Sequence, residues 1–109
     1  MMSYEFGDLL LLSAFPFSDF GAVKKRPALV LTDSGDQDII LCRVTSEGAR
    51  DRFDFGIEKW KGCGLILPSC ARLTKIATLS KRLILKKLGR LGSPDRRKVR
   101  ALLREMFLF

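Results

Sequence analysis

The 109-residue sequence contains no histidine, and its three cysteines, Cys42, Cys63 and Cys70, form no Cys-x-x-Cys pair. The absence of histidine excludes histidine acid–base catalysis, histidine metal sites, and Ser–His or Cys–His nucleophilic centres. A glycine-rich phosphate loop is also missing, and the aspartates within residues 33–38 lack the spacing of a calcium loop. The sequence therefore indicates no metal site and no cofactor, and catalysis would have to use other side chains.

Long hydrophobic runs are absent as well. The longest leucine run, residues 9–12, is far shorter than the ~20 apolar residues that a membrane-spanning helix needs. No signal-peptide pattern precedes the chain, and an odd number of cysteines favours free thiols in a reducing compartment. We therefore expect a cytoplasmic protein without a membrane partner.

The composition is typical of a single soluble domain covering residues 1–109. Hydrophobic residues make up 47% of the chain, which is enough for a modest core. The net charge of +8 is unevenly placed, because residues 72–109 carry twelve Lys and Arg residues against two acidic ones. Such a basic surface suits a polyanionic partner such as nucleic acid, although a solvated helix face would have the same composition.

Residues 24–46 contain the clearest local pattern. A basic cluster that ends in Arg26 precedes a short, partly β-branched apolar run, and the turn formers at 33–38 lead into a second run. This pattern predicts a β-hairpin, in which the start of the first strand returns beside the end of the second. We therefore expect Arg26 and the hydroxyls of Thr45 and Ser46 at one edge of a sheet.

Most other segments also indicate strands. The strand at residues 9–15 lacks polar alternation, so both of its faces should be buried, and a second subunit could cover one of them. Residues 52–58 alternate charged and apolar side chains, which predicts one wet face. In residues 69–79 the polar and apolar side chains divide less cleanly between the two faces of the strand, as happens where a strand bends around a barrel. We further expect a short buried strand at 65–67 and a helical turn followed by a short strand within 83–91.

One amphipathic helix is predicted at the C-terminal end. Ser93 as the N-cap, Pro94 at the first helical position and Asp95 in the first turn are its start signals. Apolar residues then recur with the spacing of one helix face, at Val99, Leu102, Leu103 and Met106. This stripe should pack the helix on the sheet.

A collinear set of short motifs resembles the MazF/PemK toxins. It comprises Gly7-Asp8, Phe15-Pro16-Phe17-Ser18-Asp19, Lys25-Arg26-Pro27-Ala28-Leu29-Val30-Leu31, Val44-Thr45-Ser46, Gly64-Leu65, Leu67-Pro68-Ser69, Ala71-Arg72-Leu73 and Leu88-Gly89-Arg90-Leu91. The motifs follow the family's order and spacing over nearly the whole chain. The resemblance implies a mostly β, SH3-like barrel of the CcdB/PemK type with a C-terminal α-helix.

The same resemblance implies the toxin of a type II toxin–antitoxin system. Such a toxin is a metal-independent, sequence-selective endoribonuclease that cuts single-stranded RNA to a 2′,3′-cyclic phosphate and a 5′-hydroxyl. Its partners would be a second copy in a homodimer and a cognate antitoxin, together with which it binds DNA. Two alternatives are a non-enzymatic CcdB-like toxin that binds gyrase and an inactive member that only binds its antitoxin.

The resemblance assigns catalysis to Arg26 and Thr45, and this pair favours cleavage. A guanidinium can grip two phosphate oxygens and stabilise a phosphorane, and a threonine hydroxyl can add a further hydrogen bond. The PemK branch also uses an arginine with an aspartate two residues later, but Thr74 stands at that position, two residues after Arg72. The general base is unassigned, because an arginine with a pKa above ~12 is a poor base. Contacts to RNA are expected from Phe17, Lys24, Lys25, Ser46, Arg72, Lys86 and Lys87.

Structural alternatives exist for several of these residues. Arg26 could pair with Asp8 or Asp19, and Thr45 could cap a strand end. Phe17 could pack on the core rather than stack on unpaired bases. Trp60, which lies between two lysines, is interpreted as a half-buried cap of the barrel.

Overall fold

The computed structural model describes residues 2–15 and 25–108 of the chain, and β-strands dominate them. The elements are β1 (Asp8–Leu12), β2 (Arg26–Thr32), β3 (Asp38–Thr45), β4 (Asp54–Ile57), β5 (Ser69–Ser80), β6 (Ile84–Arg90) and the helix α1 (Ser93–Phe107). The strands form one antiparallel sheet in the order β4-β5-β3-β2-β1-β6. The prediction of a mostly β fold with a C-terminal helix is confirmed.

The sheet curls until its two ends approach each other. Among the described residues no hydrogen-bonded ladder joins β4 to β6, and the short 3-10 turn Lys61–Cys63 packs against β6 instead. A Cβ atom at Gly64 would collide with the carbonyl of Leu88, and one at Gly89 would collide with the carbonyl of Cys63. Gly64 also has a positive φ of 84°. Where the turn at residues 61–64 meets β6, the two backbones are therefore in a close contact that only glycine permits.

The strand β1 is buried on both faces by the chain's own residues. Leu9 belongs to one hydrophobic cluster with Val99 of α1, whereas Leu10 and Leu12 belong to a second cluster with Phe15. All three leucines are completely shielded from solvent. The missing polar alternation correctly predicted this burial, but no second subunit is needed to provide it.

The β2–β3 hairpin is confirmed, and aspartate side chains close its turn. Oδ1 of Asp33 accepts a hydrogen bond from the backbone N–H of Gly35, and Oδ1 of Asp36 accepts one from Asp38, each at 2.8 Å. These local bonds are typical of aspartate in turns. The carboxylates of Asp33 and Asp36 therefore stabilise the turn through these backbone bonds.

The strand β5 bends as its irregular pattern predicts. It pairs with β3 along most of its length, but the register shifts between Cys42 and Arg43. Before this shift Cys42 pairs with Ile76, and after it Arg43 pairs with Arg72. Extra residues in one strand increase the local bend and twist. This bend allows β5 to pair with both β3 and β4.

The expected buried strand at residues 65–67 does not form. Leu65 is buried, but Ile66 is 88% exposed and Leu67 is also exposed. The segment is irregular and ends at Pro68, which has no N–H for a ladder. Its two exposed apolar side chains are therefore available to a ligand.

Two further expectations need correction. The side chain of Asp54 does not lie on a wet face of β4, because it is fully buried against Arg72. The helix α1 begins at Ser93 with Gly92 as the N-cap, and no side-chain bond caps it, so Ser93 is not the N-cap. Instead Oγ of Ser93 accepts a hydrogen bond from Nη1 of Arg97 at 3.1 Å.

The apolar stripe of α1 packs on the sheet as predicted. Val99 is fully buried, and the other stripe residues pack against the same hydrophobic cluster, namely Leu102, Leu103 and Met106. Within residues 2–15 and 25–108, no helix has the length and apolar character needed to cross a membrane.

Candidate functional site

Arg26 and Thr45 stand at adjoining ends of neighbouring strands. β2 begins at Arg26, and β3 ends at Thr45. The hairpin register pairs Ala28 with Arg43, and its continuation sets Arg26 opposite Thr45. Both residues line one cavity with a volume of about 210 Å³. The fold thus brings the two side chains together.

The cavity combines polar and apolar walls. Its lining includes residues of the β2–β3 edge and of the irregular segment 65–67. The lining residues are Arg26, Pro27, Val44, Thr45, Ser46, Glu47, Leu65, Ile66, Leu67 and Ser69. Ile66, Leu67 and Glu47 were not recognised as site residues from the sequence. The available signals were Pro68, which argues against a strand, and the position of Glu47 directly after Thr45-Ser46.

A backbone hydrogen bond orients the Thr45 hydroxyl. Oγ1 of Thr45 accepts from the backbone N–H of Glu47 at 3.2 Å, and the threonine is buried. Because the oxygen is the acceptor in this bond, the hydroxyl hydrogen is still available for donation. Thr45 can therefore donate to an anionic oxygen in the cavity.

Glu47 also lines this cavity, and its carboxylate lies near two arginines. Its Oε2 lies 3.3 Å from Nη1 of Arg72, and its Oε1 lies 3.9 Å from Nη2 of Arg43. The glutamate side chain is 66% exposed, whereas both arginine side chains are buried. Two buried guanidinium groups therefore hold a carboxylate that faces solvent.

Arg72 points into the protein, which corrects the expectation that it contacts RNA. Its Nε donates to Oδ2 of Asp54 at 3.3 Å, and its Nη2 donates to the carbonyl of Gly48 at 3.2 Å. Burial lowers the pKa of this guanidinium, but hydrogen bonds to Asp54 and Glu47 outweigh burial and raise the pKa above its usual value. Arg72 is therefore a permanently charged anchor that holds Glu47 and Gly48, in the segment that follows β3.

The other predicted RNA contacts differ in their distance from the cavity. Ser46 is exposed and lines it, and Lys25 is exposed immediately before β2. Lys86 and Lys87 are exposed on the edge strand β6. Neither of these two lysines lines the cavity.

Asp8, which the sequence offered as an ion-pair partner of Arg26, has basic partners on β6. Its Oδ1 lies 3.2 Å from Nζ of Lys87, and it also contacts Arg90. Trp60 is half-buried and packs against the hydrophobic core, as predicted for a cap. Phe17, Lys24 and Asp19 lie outside the described residues.

The three cysteines are free thiols in buried positions. Burial raises the pKa of Cys42 to about 12, and burial also raises the pKa of Cys63 and of Cys70. Nucleophilic cysteines need the opposite shift, because the thiolate is the reactive form. Within the part of the chain that the structure describes, no three Asp, Glu or Cys side chains are grouped as a metal site requires.

Known proteins share this fold. MazF from Deinococcus radiodurans is similar with a TM-score of 0.75 and 19% identity over 100% of both chains. A mycobacterial endoribonuclease in complex with its cognate antitoxin gives a TM-score of 0.76 and 15% identity, over 98% of this chain and 97% of that one. A chain of a MazE–MazF structure from D. radiodurans gives a TM-score of 0.73 and 20% identity, over 98% of this chain and 97% of that one.

At the level of sequence, no curated protein matches the chain. The sequence pattern of the PemK-like, MazF-like toxin of type II toxin–antitoxin systems, however, matches residues 5–107. This match spans almost the entire chain, and the solved structures with the same fold include MazF proteins. The protein therefore belongs to the PemK-like, MazF-like toxin family of type II toxin–antitoxin systems.

Proposed function

We propose that this toxin is a sequence-selective endoribonuclease for single-stranded RNA, with Arg26 and Thr45 as its catalytic residues. The observation that carries the proposal is that these two residues lie opposite each other at the β2–β3 edge and line one cavity. The similar fold of a mycobacterial endoribonuclease supports it.

The reaction uses a nucleophile that RNA itself carries. The 2′-oxygen attacks the adjacent phosphorus, the bond from phosphorus to the 5′-oxygen breaks, and the products are a 2′,3′-cyclic phosphate and a 5′-hydroxyl. Additional negative charge develops on the phosphate oxygens in the transition state. The guanidinium of Arg26 can donate to two of these oxygens, and the hydroxyl of Thr45 can donate to one. Preorganised donors of this kind stabilise the charge without a metal ion.

The shape of the cavity favours an unpaired substrate. Ile66 and Leu67, which are exposed, add apolar surface to the cavity that Arg26 and Thr45 also line. Unpaired bases can be splayed out onto such surfaces, whereas the bases of an A-form duplex are stacked inside the helix. Ser46 and Lys25 lie where they can contact flanking phosphates.

The proposal includes two protein partners. The D. radiodurans relative is seen as a MazE–MazF pair, and the mycobacterial relative is seen with its cognate antitoxin. We propose that a cognate antitoxin likewise restrains this toxin and that the active form is a homodimer. Light scattering of the purified protein, alone and with the antitoxin, would measure both assemblies.

The decisive experiment compares single-stranded and double-stranded RNA of the same sequence in excess EDTA. We expect cleavage of the single strands at a defined sequence, with cyclic phosphate and 5′-hydroxyl ends. Activity that disappears in EDTA and returns with Mg²⁺ would contradict the metal-free chemistry. A folded protein that cleaves no RNA would contradict the enzymatic proposal and favour a toxin that acts by binding alone.

A further inference from the structure

We propose that Glu47 is the general base of this reaction, an inference that rests on the proposed endoribonuclease function. A 2′-hydroxyl is a weak nucleophile until a base removes its proton. The chain has no histidine, and the guanidinium of Arg26 is a poor base. Carboxylates are established general bases for proton transfer in enzymes.

The position of Glu47 fits this role. It is the one acidic residue among the described residues that line the cavity with Arg26 and Thr45. Its backbone N–H donates to Oγ1 of Thr45 at 3.2 Å, which fixes the glutamate backbone relative to a catalytic hydroxyl. We infer that a phosphate bound by Arg26 and Thr45 would bring its neighbouring ribose next to Glu47.

The carboxylate is held in place but is still able to accept a proton. Nη1 of Arg72 contacts Oε2 at 3.3 Å, whereas Nη2 of Arg43 lies 3.9 Å from Oε1, which is beyond hydrogen-bond distance. Arg72 is itself fixed by Asp54 and the Gly48 carbonyl. Since the glutamate side chain is 66% exposed, it can release a proton to water after each turnover.

The surroundings of Glu47 are mainly cationic. Arg72 contacts its carboxylate, the Arg43 guanidinium lies 3.9 Å away, and Arg26 lines the same cavity. These three positive charges offset the negative charge that an RNA phosphate brings next to a carboxylate. Other titratable groups nearby are Asp54, which shares Arg72, Cys70, whose thiol lies 3.6 Å from the Glu47 carbonyl, and Arg50, whose backbone N–H donates to Asp54.

The proton balance of the step is complete. As the 2′-oxygen bonds to phosphorus, its proton moves to the Glu47 carboxylate. As the bond to the 5′-oxygen breaks, that oxygen takes a proton from water. The protonated Glu47 then returns its proton to the solvent. No oxidant, reductant or further reactant is needed.

The test is the variant Glu47→Gln, which retains the size of the side chain but cannot act as a base. We expect kcat to fall by ~10²–10⁴, the usual contribution of a general base. Binding of an RNA with a 2′-deoxy sugar at the cleavage site should change by less than about threefold, since the base acts only during the chemical step. The acidic limb of the kcat/KM profile against pH should disappear, a change that a merely structural role would not cause.

Two further variants make the result interpretable. Glu5→Gln removes another exposed carboxylate, one that pairs with Arg90 at 2.8 Å, and it should leave rate and pH profile unchanged. Glu47→Asp retracts the carboxylate by one methylene, so the rate should fall at least tenfold while the acidic limb persists. If Glu47→Gln is unfolded by circular dichroism, the aspartate variant decides the matter by the same criteria.

Three outcomes would overturn the assignment of Glu47. They are a glutamine variant that cleaves at the wild-type rate, a glutamine variant that retains the acidic limb, and an aspartate variant at full rate. In each case the wild-type protein would still cleave RNA. A wild-type protein that fails to cleave would instead contradict the proposed function itself.

Discussion

Nε of Arg72 lies 3.3 Å from Oδ2 of Asp54, and the two side chains are 2% and 0% exposed. The pair joins β5 to β4, and Arg72 extends from it to the Gly48 carbonyl. Removing one member of a buried pair leaves an uncompensated charge in a medium of low dielectric constant. The intact pair therefore adds little net stability, whereas removing one partner would strongly destabilise the fold.

The first prediction concerns this buried pair. Asp54→Asn should lower the free energy of unfolding by about 3–5 kcal/mol, because the charge of Arg72 would lose its buried partner. Urea unfolding followed by circular dichroism measures the change. Glu105→Gln is the matched control, since it breaks an exposed pair with Arg52 and should cost less than about 1 kcal/mol. Equal losses in both variants would show that burial of the pair is unimportant.

A second prediction concerns the guanidinium in the cavity. Arg26→Lys retains the charge but loses the planar fork that binds two oxygens. The value of kcat should fall by ~10²–10³, equivalent to roughly 3–4 kcal/mol, while the melting temperature and RNA affinity stay close to wild type. Arg82→Lys makes the same change at an exposed turn and should have no effect. An Arg26→Lys protein that cleaves normally would refute the catalytic role, and one that unfolds would indicate a structural role.

The third prediction concerns the threonine hydroxyl. Thr45→Ala should reduce kcat by about tenfold, because one neutral hydrogen bond is worth ~0.5–1.5 kcal/mol. Thr45→Ser retains the hydroxyl and should preserve most of the rate. Cleavage rates of both variants on one RNA provide the comparison. If the serine variant is as slow as the alanine variant, the methyl group rather than the hydroxyl is important.

The fourth prediction concerns the lysines on the edge strand. Replacing Lys86 and Lys87 together by glutamine should weaken RNA binding and its salt dependence, because each phosphate contact contributes about 0.7 to the slope of log K against log salt. Replacing Arg97 and Lys98, both exposed on α1, gives the same change in net charge as a control. Identical slopes for the two double variants would mean that only net charge matters.

The sequence was informative where structure depends on local chemistry. Turn formers between two apolar runs predicted the β2–β3 hairpin. The hairpin in turn predicted that Arg26 lies opposite Thr45. The start of α1 shifted by one residue because either Gly92 or Ser93 can precede a helix.

Features that depend on distant contacts were not predictable from the sequence. Arg72 is separated from Asp54 by 18 residues and from Glu47 by 25, and only the folded sheet brings them together. The family motif therefore suggested that Arg72 contacts RNA at the surface, but the burial of its side chain excludes this contact. Ile66 and Leu67 were expected in the core because apolar residues usually lie there, yet they border the cavity.

The buried anchor formed by Arg72 affects how genetic screens of this toxin should be interpreted. We expect cells that survive its expression to carry substitutions at Arg26, which would impair the proposed cleavage, or at Asp54 or Arg72, which would destabilise the protein. Growth alone cannot separate the two groups, whereas the amount of intact toxin in each survivor can. Variants at Arg26 should accumulate to normal levels, and variants of the anchor should be lost to proteolysis.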